Sequence, residues 1–229
     1  MIRAVVFDFD GVIADTEPLH FRALRDVLAQ EAVVLAEADY YGRYLGYDDV
    51  GALGAIAADR GVRWDPGYVA RLVARKSVRL EELEGAASVL FPGAAAAIRR
   101  MAEKCPLAIA SGALRAEIMR VLNHEDLAGF FPVVVAAGDT PTSKPAPEPY
   151  RRALERIAVA TGSALAPSEC VAIEDSRWGL ESARAAGMRT VGITHTYQAA
   201  TLTDAAEAVI SHLDQLTWEF LGKLDHPRR

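Results

Sequence analysis

The sequence predicts an α/β fold: a parallel sheet core with an α-helical cap domain inserted after its first strand. Three observations carry this. Short apolar runs of β type recur along the 229 residues, separated by stretches rich in Ala, Leu, Arg and Glu. Continuous apolar strands divided by helices point to a parallel sheet covered on both faces. Residues 16–86 depart from that alternation, with helical patterns and no strand-like run.

The first strand is expected at residues 4–9, and it runs into Asp8, Asp10 and Gly11. The helical block follows, with patterns near 18–30, 37–45, 48–60 and 66–83 and breaks at Gly46, Gly61 and Asp65-Pro66. It reads as a cap over the C-terminal edge of the sheet, where ligands of open α/β sheets bind. The core is therefore assigned to residues 1–15 and 87–229 and the cap to 16–86, with hinges near 15–18 and 86–92. Later strands are expected at 107–110, 133–136, 170–174, 190–193 and 208–210. Crossover helices are expected at 93–104, 114–123, 147–160 and 177–186, the last stopped by Gly187. Trp218, Phe220 and Leu221 point to a tail that packs on the core. The basic cluster at 226–229 reads as a frayed end.

Composition narrows the function classes. Hydrophobic residues make up 51% and charged residues 24%, which is ordinary for a globular protein able to bury a full core. Twenty-five basic against thirty-one acidic residues give a net charge of −6, which argues against a nucleic-acid surface. The two cysteines, Cys105 and Cys170, sit beside apolar runs and read as buried, reduced thiols; a disulfide framework needs more. No apolar stretch has the length of a membrane span, and the chain opens on a strand without a signal peptide. A cytoplasmic enzyme is the expectation, working as a monomer or a homodimer, with no nucleic-acid or membrane partner.

Four patches carry chemistry. Asp8 and Asp10 end an apolar strand, where like charges repel and resist desolvation. A hard divalent cation would relieve both, and Asp8 could then attack a phosphate while Asp10 handles protons. The alternative is a plain Asp-Gly turn. Ser111 and Gly112 follow the second strand and suit a phosphate oxygen, or else Ser111 caps a helix. Lys144 lies between Ser143 and Pro145 and could hold a phosphate, or be a solvated loop lysine. Glu174 and Asp175 follow a further strand and could complete an oxygen-ligand site, or else Asp175 or Ser176 caps a helix. All four patches fall at one edge of one sheet, which points to Mg²⁺-dependent phosphoryl transfer.

Four stretches make the pattern specific: residues 8–17, Ser111-Gly112, Lys144-Pro145-Ala146-Pro147, and residues 174–179. They make the chain similar to the haloacid-dehalogenase superfamily over residues 1–215, in the branch with a helical cap that includes β-phosphoglucomutase and small phosphomonoesterases. The resemblance implies a Rossmann-like core with Asp8 as nucleophile, forming an aspartyl-phosphate. Asp10 would be the acid–base residue and give its carbonyl to Mg²⁺. Ser111 and Lys144 would hold the phosphate, beside Gly11 and Gly112. Asp8, Asp10, Glu174 and Asp175 would form the metal shell. Thr16, Glu17 and His20 would face the cap interface, and Lys76 would match a cap lysine presented to the substrate. For His20 and Lys76 the alternative is a surface residue on an amphipathic helix.

The resemblance also implies what this chain lacks. Mutases of the branch carry a cap-loop arginine for a second phosphate, whereas the loop at 45–53 here carries Asp48 and Asp49. Two acids there would repel a second phosphate. A phosphomonoesterase on a sugar phosphate or a phosphoglycolate-like ester is therefore favoured, with a sugar-phosphate mutase as the alternative. Asp10 speaks against dehalogenation, and the retained acids and Lys144 speak against a catalytically dead binding protein. Phosphonate hydrolysis would need a Schiff-base lysine in the cap, where Lys76 is the only lysine.

Overall fold

The computed structural model describes residues 1–45, 47–85 and 88–224. The break expected at Gly46, the boundary at 86–87 and the basic cluster at 226–229 lie outside the described residues. The chain forms two compact units, one of residues 1–15 and 89–229 and one of residues 16–88.

The first unit is a six-stranded, all-parallel sheet in the order β3-β2-β1-β4-β5-β6. Its strands are β1 (Ala4–Phe7), β2 (Leu107–Ala110), β3 (Val133–Val135), β4 (Cys170–Glu174), β5 (Arg189–Ile193) and β6 (Ala208–Ile210). β1 lies at the centre, with Val5 opposite Leu107 on one side and Val171 on the other. Strand residues alternate between two apolar clusters. Val5, Phe7, Ile109, Ile173 and Val191 enter one, and Ala4, Val6, Ala108, Ala110 and Ala172 enter the other. Both faces are covered, which is why β1, β2 and β3 are apolar throughout.

β1 stops at Phe7, two residues before the expected end. The carbonyl of Phe9 accepts from Ile13 (2.9 Å) and Ala14 (3.0 Å), so the chain turns there instead of continuing the ladder. Helices α5 (Ala94–Ala102) and α6 (Arg115–His124) cover one face, and α7 (Glu148–Thr161) and α8 (Arg177–Ala185) cover the other. The small helix α9 (Ala199–Leu202) packs beside β5. The last helix, α10 (Trp218–Leu224), buries Leu221 and Leu224 in the first cluster. Both thiols are buried and free, and burial pushes each up to about 12, which keeps them inert.

The second unit is helical: α1 (Glu17–Ala29), α2 (Glu37–Asp39), α3 (Asp49–Asp59) and α4 (Pro66–Glu84). Asp48 and Asp65 cap α3 and α4 with side-chain oxygens. The single helix expected at 37–45 divides instead. After α2 the turns widen over Tyr40–Tyr44, and the Leu45 N–H reaches the Tyr40 carbonyl five residues back. Phe21, Leu24, Leu28, Tyr40, Leu53 and Ile56 form this unit's own core. Among the described residues no helix is long and apolar enough to cross a membrane.

Candidate active site

The strand order brings the chemistry together at the C-terminal edge of the sheet. β1 is flanked by β2 and β4, so the residues that follow these three strands converge. Asp8 continues β1 by donating its N–H to the Ile173 carbonyl (2.9 Å). Ser111 follows β2, Glu174 ends β4, and Asp175 comes next. Asp8, Ser111, Glu174 and Asp175 are all buried.

Lys144 bridges two of the acids. Its Nζ donates to Glu174 Oε1 at 2.6 Å and lies 2.9 Å from Asp8 Oδ1. The second contact is an ion pair by distance, but its angle makes no directed hydrogen bond, and Asp8 Oδ1 has no donor of its own. Burial alone would lower the Lys144 pKa, yet Asp8 and Glu174 together outweigh it and hold the ammonium above its usual range. The solvated-loop alternative for Lys144 is thereby excluded.

Glu174 is fully enclosed. Besides Lys144, its Oε1 accepts from the Tyr150 hydroxyl (2.7 Å), and its Oε2 accepts from the Ser176 N–H (3.3 Å) and hydroxyl (3.1 Å). Ser176 also caps α8, accepting from the Gly179 N–H, so the capping alternative for Asp175 does not hold. A β-carbon on Gly179 would fall on the Glu174 carboxylate, so the helix must pass there with no side chain. Gly11 makes room in the same way. It has φ +76, and a β-carbon there would strike Asp175 and come within 2.9 Å of Thr196 Oγ1.

One oxygen from each of Asp8, Glu174 and Asp175 can be chosen so that all three lie within 4.8 Å of one another. Burial pushes Asp8 up to about 7, more than the nearby Lys144 charge lowers it, with Glu174 adding to the rise. Burial, then the charges of Glu174 and Asp8, raise Asp175 well above the carboxylate range, against a hydrogen bond from Thr196. Acids this reluctant to ionise, one with an oxygen lacking any directed donor, fit a hard cation that takes oxygen ligands. This buried acidic cluster could hold a metal ion.

Asp10 is half-buried in the turn after β1, and its charge adds to the rise at Asp8. Ser111 does not cap a helix, so that alternative does not hold. α6 begins at Arg115, four residues later, and the Ser111 hydroxyl accepts from the Ala113 N–H (3.1 Å) in the loop. Space is open where a β-carbon on Gly112 would stand. Thr16, His20 and Lys76 belong to the helical unit. There the surface alternative for Lys76 fails: its side chain is 2% exposed, and Nζ meets His20 Nδ1 (2.7 Å) and Asp49 Oδ1 (2.8 Å). Tyr150 and Thr196 carry no signal in the sequence, since each matters only through a partner distant in the chain; Asp49 stands out as a cap-loop acid, but its pairing with Lys76 does not. Gly179 lies in one of the specific stretches, but its reason is the Glu174 side chain beside it.

Residues 2–187 match the model of the haloacid dehalogenase-like hydrolase family. The chain belongs to that family and is a hydrolase of it. It is 35% identical to the protein CbbY of Rhodobacter capsulatus over 202 residues, 83% of this chain and 84% of that one. It is 31% identical to the fructose-1-phosphate phosphatase YqaB of Escherichia coli over 205 residues, 82% of this chain and 95% of that one. The crystal structure of CbbY from Rhodobacter sphaeroides with phosphate superposes with a TM-score of 0.84 at 23% identity, covering 97% of this chain and all of that one. That likeness shows the shared fold: a Rossmann-like core with an inserted helical unit.

Proposed function

We propose that the chain is a Mg²⁺-dependent phosphatase of small phosphorylated metabolites, sugar phosphates or phosphoglycolate-like esters, and that it works through a phosphorylated Asp8. The observation that carries this is Lys144, bridging Asp8 and Glu174 beside Asp175 at the edge where β1 ends. The name of the fructose-1-phosphate phosphatase relative supports the substrate class.

In this reading an Asp8 oxygen forms a bond to phosphorus as the bond to the leaving oxygen breaks. Asp10 gives that oxygen its proton. As a carboxylate, Asp10 then takes a proton from the water that opens the acyl phosphate, which frees phosphate and restores Asp8. Lys144 and the Ser111 hydroxyl hold phosphate oxygens, with Gly11 and Gly112 leaving room for them. Glu174 keeps Lys144 in place, and Tyr150 and Ser176 keep Glu174 in place. Asp8, Glu174, Asp175 and the Asp10 carbonyl would hold Mg²⁺, which supplies charge neutralisation at the phosphate. Residues 16–86 act as the cap, with Thr16, His20 and Lys76 selecting the substrate. Asp49 already pairs with Lys76, which favours a substrate with one phosphate over a mutase's bisphosphate. A cytoplasmic location belongs to the same reading and agrees with the free buried thiols.

The test is phosphate release from a panel of sugar phosphates, hexitol phosphates and phosphoglycolate, in Mg²⁺ and in EDTA, with Asp8→Asn as the blank. Release that needs both Mg²⁺ and Asp8 is the expected result. No release from any ester, with turnover of a hexose 1-phosphate primed by a bisphosphate, would replace the phosphatase with a mutase.

A further inference from the structure

The turn that carries Asp10 is gripped from outside by a side chain with no place in the chemistry above. β5 ends at Ile193, and the Thr194 N–H still bonds the Ile210 carbonyl (3.0 Å). The next two side chains both reach the site. His195 Nδ1 lies 3.0 Å from the carbonyl oxygen of Gly11. A carbonyl only accepts, so Nδ1 carries the proton. The half-buried ring stacks on Phe91, with centroids 3.8 Å apart and planes 19° from parallel. Phe91 in turn donates its N–H to the Ile13 carbonyl (3.0 Å), and Asp15 donates to Val89 (2.7 Å). Thr196, the neighbour of His195, and Asp175 both crowd the place where a β-carbon on Gly11 would stand.

The carbonyl that His195 holds belongs to the residue directly after Asp10. Gly11 sits at φ +76 and donates its N–H to the Ala14 carbonyl (2.9 Å), while its carbonyl is taken by His195. The bonds onto Phe9 and from Gly11 to Ala14 shape the turn from within, whereas His195 ties it to the segment that follows β5.

We propose that His195 is a positioning residue for Asp10, acting through the Gly11 carbonyl, so that the acid–base carboxyl keeps its register with Asp8 and Asp175. This rests on the role assigned to Asp10 above. A sugar phosphate loses a poor leaving group, an alkoxide, and needs the proton that Asp10 delivers. The leaving group of p-nitrophenyl phosphate is stable without one.

The experiment compares the two esters in wild type, His195→Phe and His195→Asn. His195→Phe keeps an aromatic ring on Phe91 and removes the donor. His195→Asn keeps a donor near the Nδ1 position and removes the ring. In His195→Phe, kcat/KM on the sugar phosphate should fall about tenfold or more, while kcat/KM on p-nitrophenyl phosphate changes less than about threefold, because this ratio leaves out the water step that both esters share. His195→Asn should recover most of the loss. If His195→Phe does not fold, His195→Leu against His195→Asn makes the same comparison. An equal loss on both esters, or an Asn variant as impaired as the Phe variant, would overturn the proposal and leave His195 a packing residue. A wild type inert towards both esters would overturn the phosphatase reading itself, a separate and recognisable failure.

Discussion

Replacing Gly179 by alanine sets two physical effects against each other. Gly179 is in the first turn of α8, and removing a glycine from a helix ordinarily stabilises by up to about 1 kcal/mol. Here the new β-carbon would fall on the Glu174 carboxylate. Glu174 would have to leave its place and give up the Lys144 ammonium at 2.6 Å and the Tyr150 hydroxyl at 2.7 Å. Two hydrogen bonds to a buried charge contribute about 3–6 kcal/mol together, so the net loss should be about 2–5 kcal/mol. For a chain of this size that lowers the melting midpoint by about 5–20 °C. Differential scanning calorimetry reads this, with Gly54→Ala as the matched control. Gly54 lies in α3, and a β-carbon there meets nothing within 4 Å. The control should gain about 0.5–1 kcal/mol. A Gly179→Ala protein as stable as the wild type, or more stable, would refute the steric reasoning and with it the view that Glu174 is locked.

Asp8→Asn should abolish phosphate release while the protein stays folded. In EDTA its stability advantage over the wild type should widen as pH rises from about 4 to about 7. Native Asp8, pushed up to about 7 by burial, holds a proton that the unfolded chain has already released in that window, so wild-type stability falls with rising pH where Asn has nothing to lose. Urea unfolding at several pH values checks this, and a constant gap would contradict it. Asp175→Asn should raise the Mg²⁺ concentration needed for half-maximal activity at least about tenfold, since it removes one anionic oxygen from a small ligand set; a Mg²⁺ titration of activity decides. Asp49→Ala should destabilise the helical unit by about 3–5 kcal/mol, because it leaves the Lys76 ammonium buried without its carboxylate partner. Unchanged melting would show that Lys76 finds another partner.

Much of the fold was legible because the physics is local. Strands buried on both faces tend to be apolar throughout, and residues 107–110 and 133–135 show that directly. Helix ends carry their own signals, as in Asp65-Pro66 before α4. The carboxylates of Asp8, Glu174 and Asp175 stand out because charged groups directly after apolar strands are unusual. Less legible were features settled by competition for hydrogen bonds. The end of β1 depends on which N–H groups claim the Phe9 carbonyl, and the widened turns at Tyr40–Tyr44 depend on packing around Tyr40.

The sequence by itself determined the alternation of strand and helix, the helical insertion after the first strand, and the acids, hydroxyl and lysine at the sheet edge. Each of these follows from the period of burial or from the chemistry of neighbours in the chain. Tertiary structure alone decided the partners. Lys144 meets Glu174 across thirty positions, Asp49 meets Lys76, and His195 reaches Gly11 from the far side of β5. A buried charge or donor must find its complement wherever the fold brings one within about 3 Å, and no local pattern encodes that distance.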